Sequence, residues 1–238
     1  MGLELAFIGL TAYTNLFLIF IGFKAINKTS SHVTKDKLKL IIGLFLWQLF
    51  ILSIAATGWI KSYAFPPMFA ITLIIPSFVF TGLFLYRNRN RQWISSIPEQ
   101  WIIYFQSFRI FVEILFVFCL ARGIVNYQVT IEGYNFDMIF AITAPIIAFL
   151  VYQKKVLSRK FILIWNYLGL CVLGSVIILF LMSIYKPELF GSDTPLLPLE
   201  SMTYPYVLIA GFLMPVAVFL HILSIIQIKK TKPVASTT

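Results

Sequence analysis

Acidic residues are scarce: nine Asp and Glu stand against nineteen Lys and Arg in 238 residues, and charged residues together make up only 12% of the chain. Soluble domains carry about 25%, so a water-facing surface of ordinary composition is excluded. Cysteine and histidine are nearly missing, with two of each. Cys119 and Cys171 both fall within apolar runs, which leaves no disulfide framework to read. No pair of His, Cys or carboxylate residues has the spacing of a metal site, so neither a metal nor a cofactor is expected. A nucleophile–base arrangement is missing as well, and an enzymatic reading has no support. The start, MGLELAFIGL, lacks a basic leader and a small-residue cleavage site, which makes it a retained first span.

What is present is grease: 60% of residues are apolar and 17% aromatic, with a mean hydropathy of +0.90. Apolar runs of about 20 residues, each able to cross a hydrocarbon layer of ~30 Å as a helix, recur along the whole length. Seven are expected, at roughly 4–24, 38–60, 67–86, 100–123, 135–153, 161–185 and 205–227, in one transmembrane domain covering 1–238. Their length argues for helices, because lipid cannot satisfy a bare backbone and a barrel would show alternating segments of about ten residues. The fold class is therefore all-α, a bundle of seven transmembrane helices.

Charge placement orients the bundle. Lys24, Lys28, Lys35, Lys37 and Lys39 lie between the first two spans, and Arg87, Arg89 and Arg91 between the third and fourth. Lys154, Lys155, Arg159 and Lys160 follow the fifth, and Lys229, Lys230 and Lys232 the seventh. Fifteen of the nineteen basic residues thus share one side, which the positive-inside rule assigns to the cytoplasm. The N-terminus is expected outside and the C-terminus inside, as an odd number of crossings requires. Topology accounts for the net charge of +10, so nucleic acid is not an expected partner. The bilayer is, with anionic lipids at the basic face.

The fourth span contains YFQSFRIFVEILFVF, residues 104–118, with a charge of each sign near its middle. Thirteen Leu, Ile, Phe and Val between 102 and 120 contribute roughly −4 to −8 kcal/mol to insertion, which one Arg and one Glu at about +2.5 to +3.5 each nearly cancel. Gln106, Arg109 and Glu113 share one helical stripe, so all three can face the protein interior. Arg109 and Glu113 are four apart in the weaker order, which favours partners on other helices. Asn166 in span six and His221 in span seven lie at similar depth. These five residues form the expected ligand-binding group: Arg109 contacts an anion or carboxylate, Glu113 is its counter-ion or a proton acceptor, Gln106 and Asn166 orient the ligand, and His221 relays protons.

Two outward connections are long. In residues 126–137, an alternation at Val129 and Ile131 suggests an extended piece, and Gly133 a tight turn. Asn135 or Asp137 could cap span five; with Glu132 they could instead form an outer-face gate. Residues 186–205, with four prolines, suggest a structured lid or an ordinary solvated loop, the loop being the preferred reading. Pro76, Pro145 and Pro215 fall inside spans, where each can kink a helix and leave a carbonyl free.

The heptahelical layout is similar to that of microbial rhodopsins and G-protein-coupled receptors in topology only: residues 206–228 hold no lysine for a Schiff base and no Asn-Pro-x-x-Tyr pattern. QSFRIFVE, with EGYNFD and ITAP downstream, resembles an uncharacterised family of bacterial inner-membrane proteins over about residues 94–228. That resemblance implies a multi-pass protein of the bacterial inner membrane and no activity. Two functions are expected as alternatives: binding or translocation of a small polar or anionic solute, or a scaffold or sensory subunit whose Arg/Glu pair is structural.

Overall fold

Long runs of Leu, Ile and Phe, broken mainly where Pro, Gly and polar residues gather, fold as helices throughout. The computed structural model describes residues 2–230, so Lys232 lies outside the described residues. No strand occurs among them. The helices are α1 (Gly2–Thr29), α2 (Val33–Ala56), α3 (Ala70–Asn88), α4 (Gln92–Ser96), α5 (Glu99–Phe105), α6 (Phe108–Ala121), α7 (Asp137–Gln153), α8 (Arg159–Tyr185) and α9 (Ile209–Lys230). Six segments are long and apolar enough to cross a membrane: α1, α2, α3, α5 with α6 as one unit (Glu99–Ala121), α8 and α9. The seventh apolar helix, α7, is shorter at 17 residues.

Packing is centred on α9. It touches α3, α4, α5 and α8, while α1 packs on α2, α4 and α6, and α7 on α5, α6 and α8. At the other extreme, α2 buries only Ile51 and presents Leu38, Ile42, Phe45, Leu46 and Leu49 outward. A helix apolar all round, yet hardly buried, belongs in hydrocarbon. At the basic end, Lys24 lies 3.9 Å above the Trp101 ring and Arg89 3.9 Å above Tyr86, the pairing of cation and aromatic favoured at a membrane interface.

Four of the seven expected spans depart from regular α geometry. The fourth is broken at Gln106–Ser107, where the amides of Gln106, Ser107, Arg109 and Ile110 all bond three residues back instead of four. Widened π turns occupy Ala70–Ile74, Phe149–Gln153 and Ile209–Leu213. Those at the starts of α3 and α9 sit just before Pro76 and Pro215, whose rings lack an N–H and crowd the carbonyl four residues earlier.

Both long connections differ from expectation. The alternation at Val129 and Ile131 does not form an extended piece: Tyr127–Val129 is a turn of 3-10 helix, in which Thr130 Oγ1 donates to the Tyr127 carbonyl and Asn135 Nδ2 to the Val129 carbonyl in place of a strand partner. Gly133 is required there, since a Cβ would stand 2.5 Å from the Tyr127 carbonyl oxygen. Residues 186–205 are not simply solvated. Leu197 and Met202 are buried, the Leu196 amide bonds the Ser183 carbonyl at 2.8 Å, and Tyr63 donates its hydroxyl to the Leu197 carbonyl at 2.8 Å. Burial raises the Tyr63 phenol above its usual value, with the Glu200 charge adding to the shift, so it stays a donor.

Candidate functional site in the helix interior

Arg109 lies near the midpoint of the Glu99–Ala121 unit, about three helical turns from either end. It is only 2% exposed, and Gln106, Glu113 and His221 are at most 1% exposed. A charge at that depth requires a partner inside the protein.

The partner is Asp137. Its Oδ1 accepts from Arg109 Nη1 at 2.7 Å, so the counter-ion comes from the first turn of α7 and not from Glu113. Glu113 instead accepts from Asn135 Nδ2, which stands 3.0 Å from both carboxylate oxygens. The same Nδ2 bonds the Val129 carbonyl at 3.2 Å, while Asn135 Oδ1 accepts the Asp137 amide at 2.9 Å. That last bond spans two residues and forms an Asx turn at the entrance to α7; the N-cap position is Phe136, which makes no side-chain capping bond, so neither Asn135 nor Asp137 is the N-cap expected from the sequence. Asn135 and Asp137 therefore belong to the Arg109–Glu113 group. Glu132 does not, because its side chain is exposed.

These bonds also explain why α7 is short. Glu113 lies eight residues before the end of α6, about 12 Å along its axis. Because Glu113 and Arg109 both reach the residues that open α7, that helix begins inside the bundle, below the level at which α6 ends.

Gln106 donates weakly to the Ala217 carbonyl of α9, at 3.4 Å, and its own carbonyl accepts from Arg109 Nε at 3.4 Å. One turn further along α9, His221 meets Asn166 in a separate group. Asn166 Nδ2 donates to the Ile162 carbonyl at 2.8 Å and to Ser224 Oγ at 3.0 Å, leaving its Oδ1 as the acceptor 2.8 Å from His221 Nδ1. His221 therefore carries its proton on Nδ1. The imidazole fits because Gly169 faces it: a Cβ there would lie 2.5 Å from Cε1 and 2.7 Å from Nε2.

Three buried polar atoms in this interior have no hydrogen-bond partner: Arg109 Nη2, Gln106 Oε1 and His221 Nε2. A cavity of about 20 Å³ is lined by Arg109, Glu113, Asp137, Phe116, Met214 and Ala217, among others. That is room for about one water molecule. Phe116, Ile209 and Met214 also wall a second, apolar cavity of about 40 Å³ beneath Leu197, Met202 and Tyr206. The apolar cavity walled by residues 197–202 and the polar site are thus separated by a few side chains, beside the π turn at the start of α9.

No group of three or more His, Cys, Asp or Glu that could hold a metal ion occurs among the described residues. Sequence reasoning found Arg109 and Glu113 from their cost in a span, and placed Asp137 only at the mouth of the next one. Ser224 went unnoticed; its position three residues after His221 on an otherwise apolar helix was the available signal.

Apolar side chains outside, polar ones inside and six helices of spanning length together define a multi-pass α-helical membrane protein. No family model, curated protein or solved structure matches the chain.

Proposed function

We propose that the chain is a seven-crossing protein of a bacterial inner membrane that binds or moves a small polar solute at the Arg109–Asp137–Glu113 site. Seven crossings are supported by α7. Its 17 residues fall within the range of about 17–25 that spans hydrocarbon, and it joins the end of α6 to a basic turn at Lys154–Arg159. The charge bias supports placing the basic loops in the cytoplasm, against anionic lipid.

The observation that carries the reading is Arg109 Nη2: a guanidinium nitrogen buried at mid-membrane, unbonded by protein, in a residue lining a cavity shared with two carboxylates. An ion pair kept only for packing gains by satisfying every donor. An unbonded N–H donor takes an acceptor, so the solute is one that presents an oxygen to Arg109. Passage would require Phe116, Ile209 and Met214 to part, at a point where the α9 ladder is already interrupted.

A thermal-shift screen of small polar solutes on the purified protein tests this. At least one solute is expected to stabilise the wild type, as ligands selective for a folded state do. Arg109→Lys, which keeps the charge opposite Asp137 but removes the second nitrogen, is expected to abolish that shift. An undiminished shift removes Arg109 from the site. The 2.7 Å contact between Arg109 and Asp137 favours a second reading, a scaffold or sensory subunit whose buried pair fixes helix packing.

A further inference from the structure

The charges around the small cavity do not balance. Arg109 brings one positive charge, while Asp137 and Glu113 bring two carboxylates, and all three line the same space. His221, one turn past Ala217 on α9, donates through Nδ1 to Asn166 and has no acceptor for a second proton at Nε2. It is therefore neutral. The other facing groups, from Leu173 and Val176 of α8, Leu213 and Ala217 of α9, and Phe108, Val112 and Phe116 of α6, carry no charge. One uncompensated negative charge at mid-membrane is far too unfavourable to persist.

The compensating charge must also be small. A cavity of about 20 Å³ admits one water molecule and no organic cation. Glu113 differs from Asp137 in what it meets: Asp137 is held by the guanidinium at 2.7 Å, whereas Glu113 is held by a neutral amide.

From this geometry we propose that Glu113 is a proton-binding site, holding one exchangeable proton that a cavity water delivers and removes. The proton adds to one carboxylate oxygen, whose O–H turns to the water, while the other oxygen keeps accepting from Asn135. Arg109 and Asp137 remain an ion pair, and the cluster is neutral overall. The proposal holds whether or not a solute crosses the protein, so the solute screen and the test below fail independently.

The test is infrared spectroscopy of the full chain in lipid nanodiscs at neutral pH, comparing H2O with D2O. The wild type is expected to show a carboxylic-acid C=O band that shifts in D2O. Glu113→Gln is expected to remove it. Asp137→Asn leaves Glu113 in place but brings the count to one guanidinium and one carboxylate, so it too is expected to remove the band. A wild type with no such band overturns the proposal, as does a band surviving either substitution. A selective rise in thermal stability with sodium over potassium, in the absence of the band, would put an alkali cation in the cavity and would equally overturn it.

Discussion

Arg109 survives among apolar neighbours because two residues from a distant part of the chain complete its surroundings. Asp137 is 28 positions away, and Asn135 is 22 from Glu113. Removing one member of such a buried pair strands the other charge, which costs about 3–5 kcal/mol, whereas replacing both by apolar groups of similar volume is close to neutral. Arg109→Ala is accordingly expected to lower stability by about 3–5 kcal/mol and Asp137→Ala by less, because Glu113 can then ionise in the cavity it shares with Arg109, while Arg109→Met with Asp137→Leu recovers most of the loss. Unfolding of the four proteins in mild detergent gives the comparison. Strict additivity of the two losses would contradict the pairing. The three-residue stripe of Gln106, Arg109 and Glu113 was legible from helical spacing. The weak Arg-then-Glu order favoured a partner on another helix, but the choice of Asp137 was not legible, since one sequence does not say which helices lie side by side.

At the scale of the element, prolines were visible in advance and their consequences only partly so. The carbonyl of Gly211, four residues before Pro215, has no N–H there to close an α-turn onto it. The indole of Trp47 donates to it at 2.9 Å. That bond, 164 positions apart in the chain, ties the lipid-facing α2 to the buried α9. The freed carbonyl thus serves packing, not a ligand. Trp47→Phe keeps an aromatic ring but removes the donor, so a loss of about 1–3 kcal/mol is expected, read as a fall in thermal unfolding temperature. A Trp47→Phe protein as stable as wild type would mean the carbonyl is satisfied otherwise. The break at Gln106–Ser107 had no sequence warning, because neither residue is a strong helix breaker. At the break the side chain of Gln106 reaches the Ala217 carbonyl of α9, and its own carbonyl accepts from Arg109 three residues on.

For the molecule as a whole, composition and the apolar runs already demanded an inside-out protein, and six helices of spanning length meet that demand. The crossing number turns on α7. If α7 spans, the two termini emerge on opposite faces, with the basic loops in the cytoplasm. Single cysteines at Ser192 and Lys155, in a background with Cys119 and Cys171 replaced by alanine, report this directly. A membrane-impermeant thiol reagent is expected to label Ser192→Cys in intact cells and Lys155→Cys only after permeabilisation. The reverse pattern, Lys155→Cys labelled from outside and Ser192→Cys only after permeabilisation, would leave α7 as a re-entrant segment and six crossings in total.

The sequence by itself determined the helical class, the greasy exterior and the two interior charges of the fourth span. These depend on local quantities: run length, residue type and period along one helix. Tertiary structure alone decided that α7 begins deep in the bundle, that Asp137 neutralises Arg109, and that Glu113 is left facing an amide and a water-sized space. Those outcomes depend on which helices lie side by side, and in lipid that is settled by packing and interior hydrogen bonds between segments far apart in the chain.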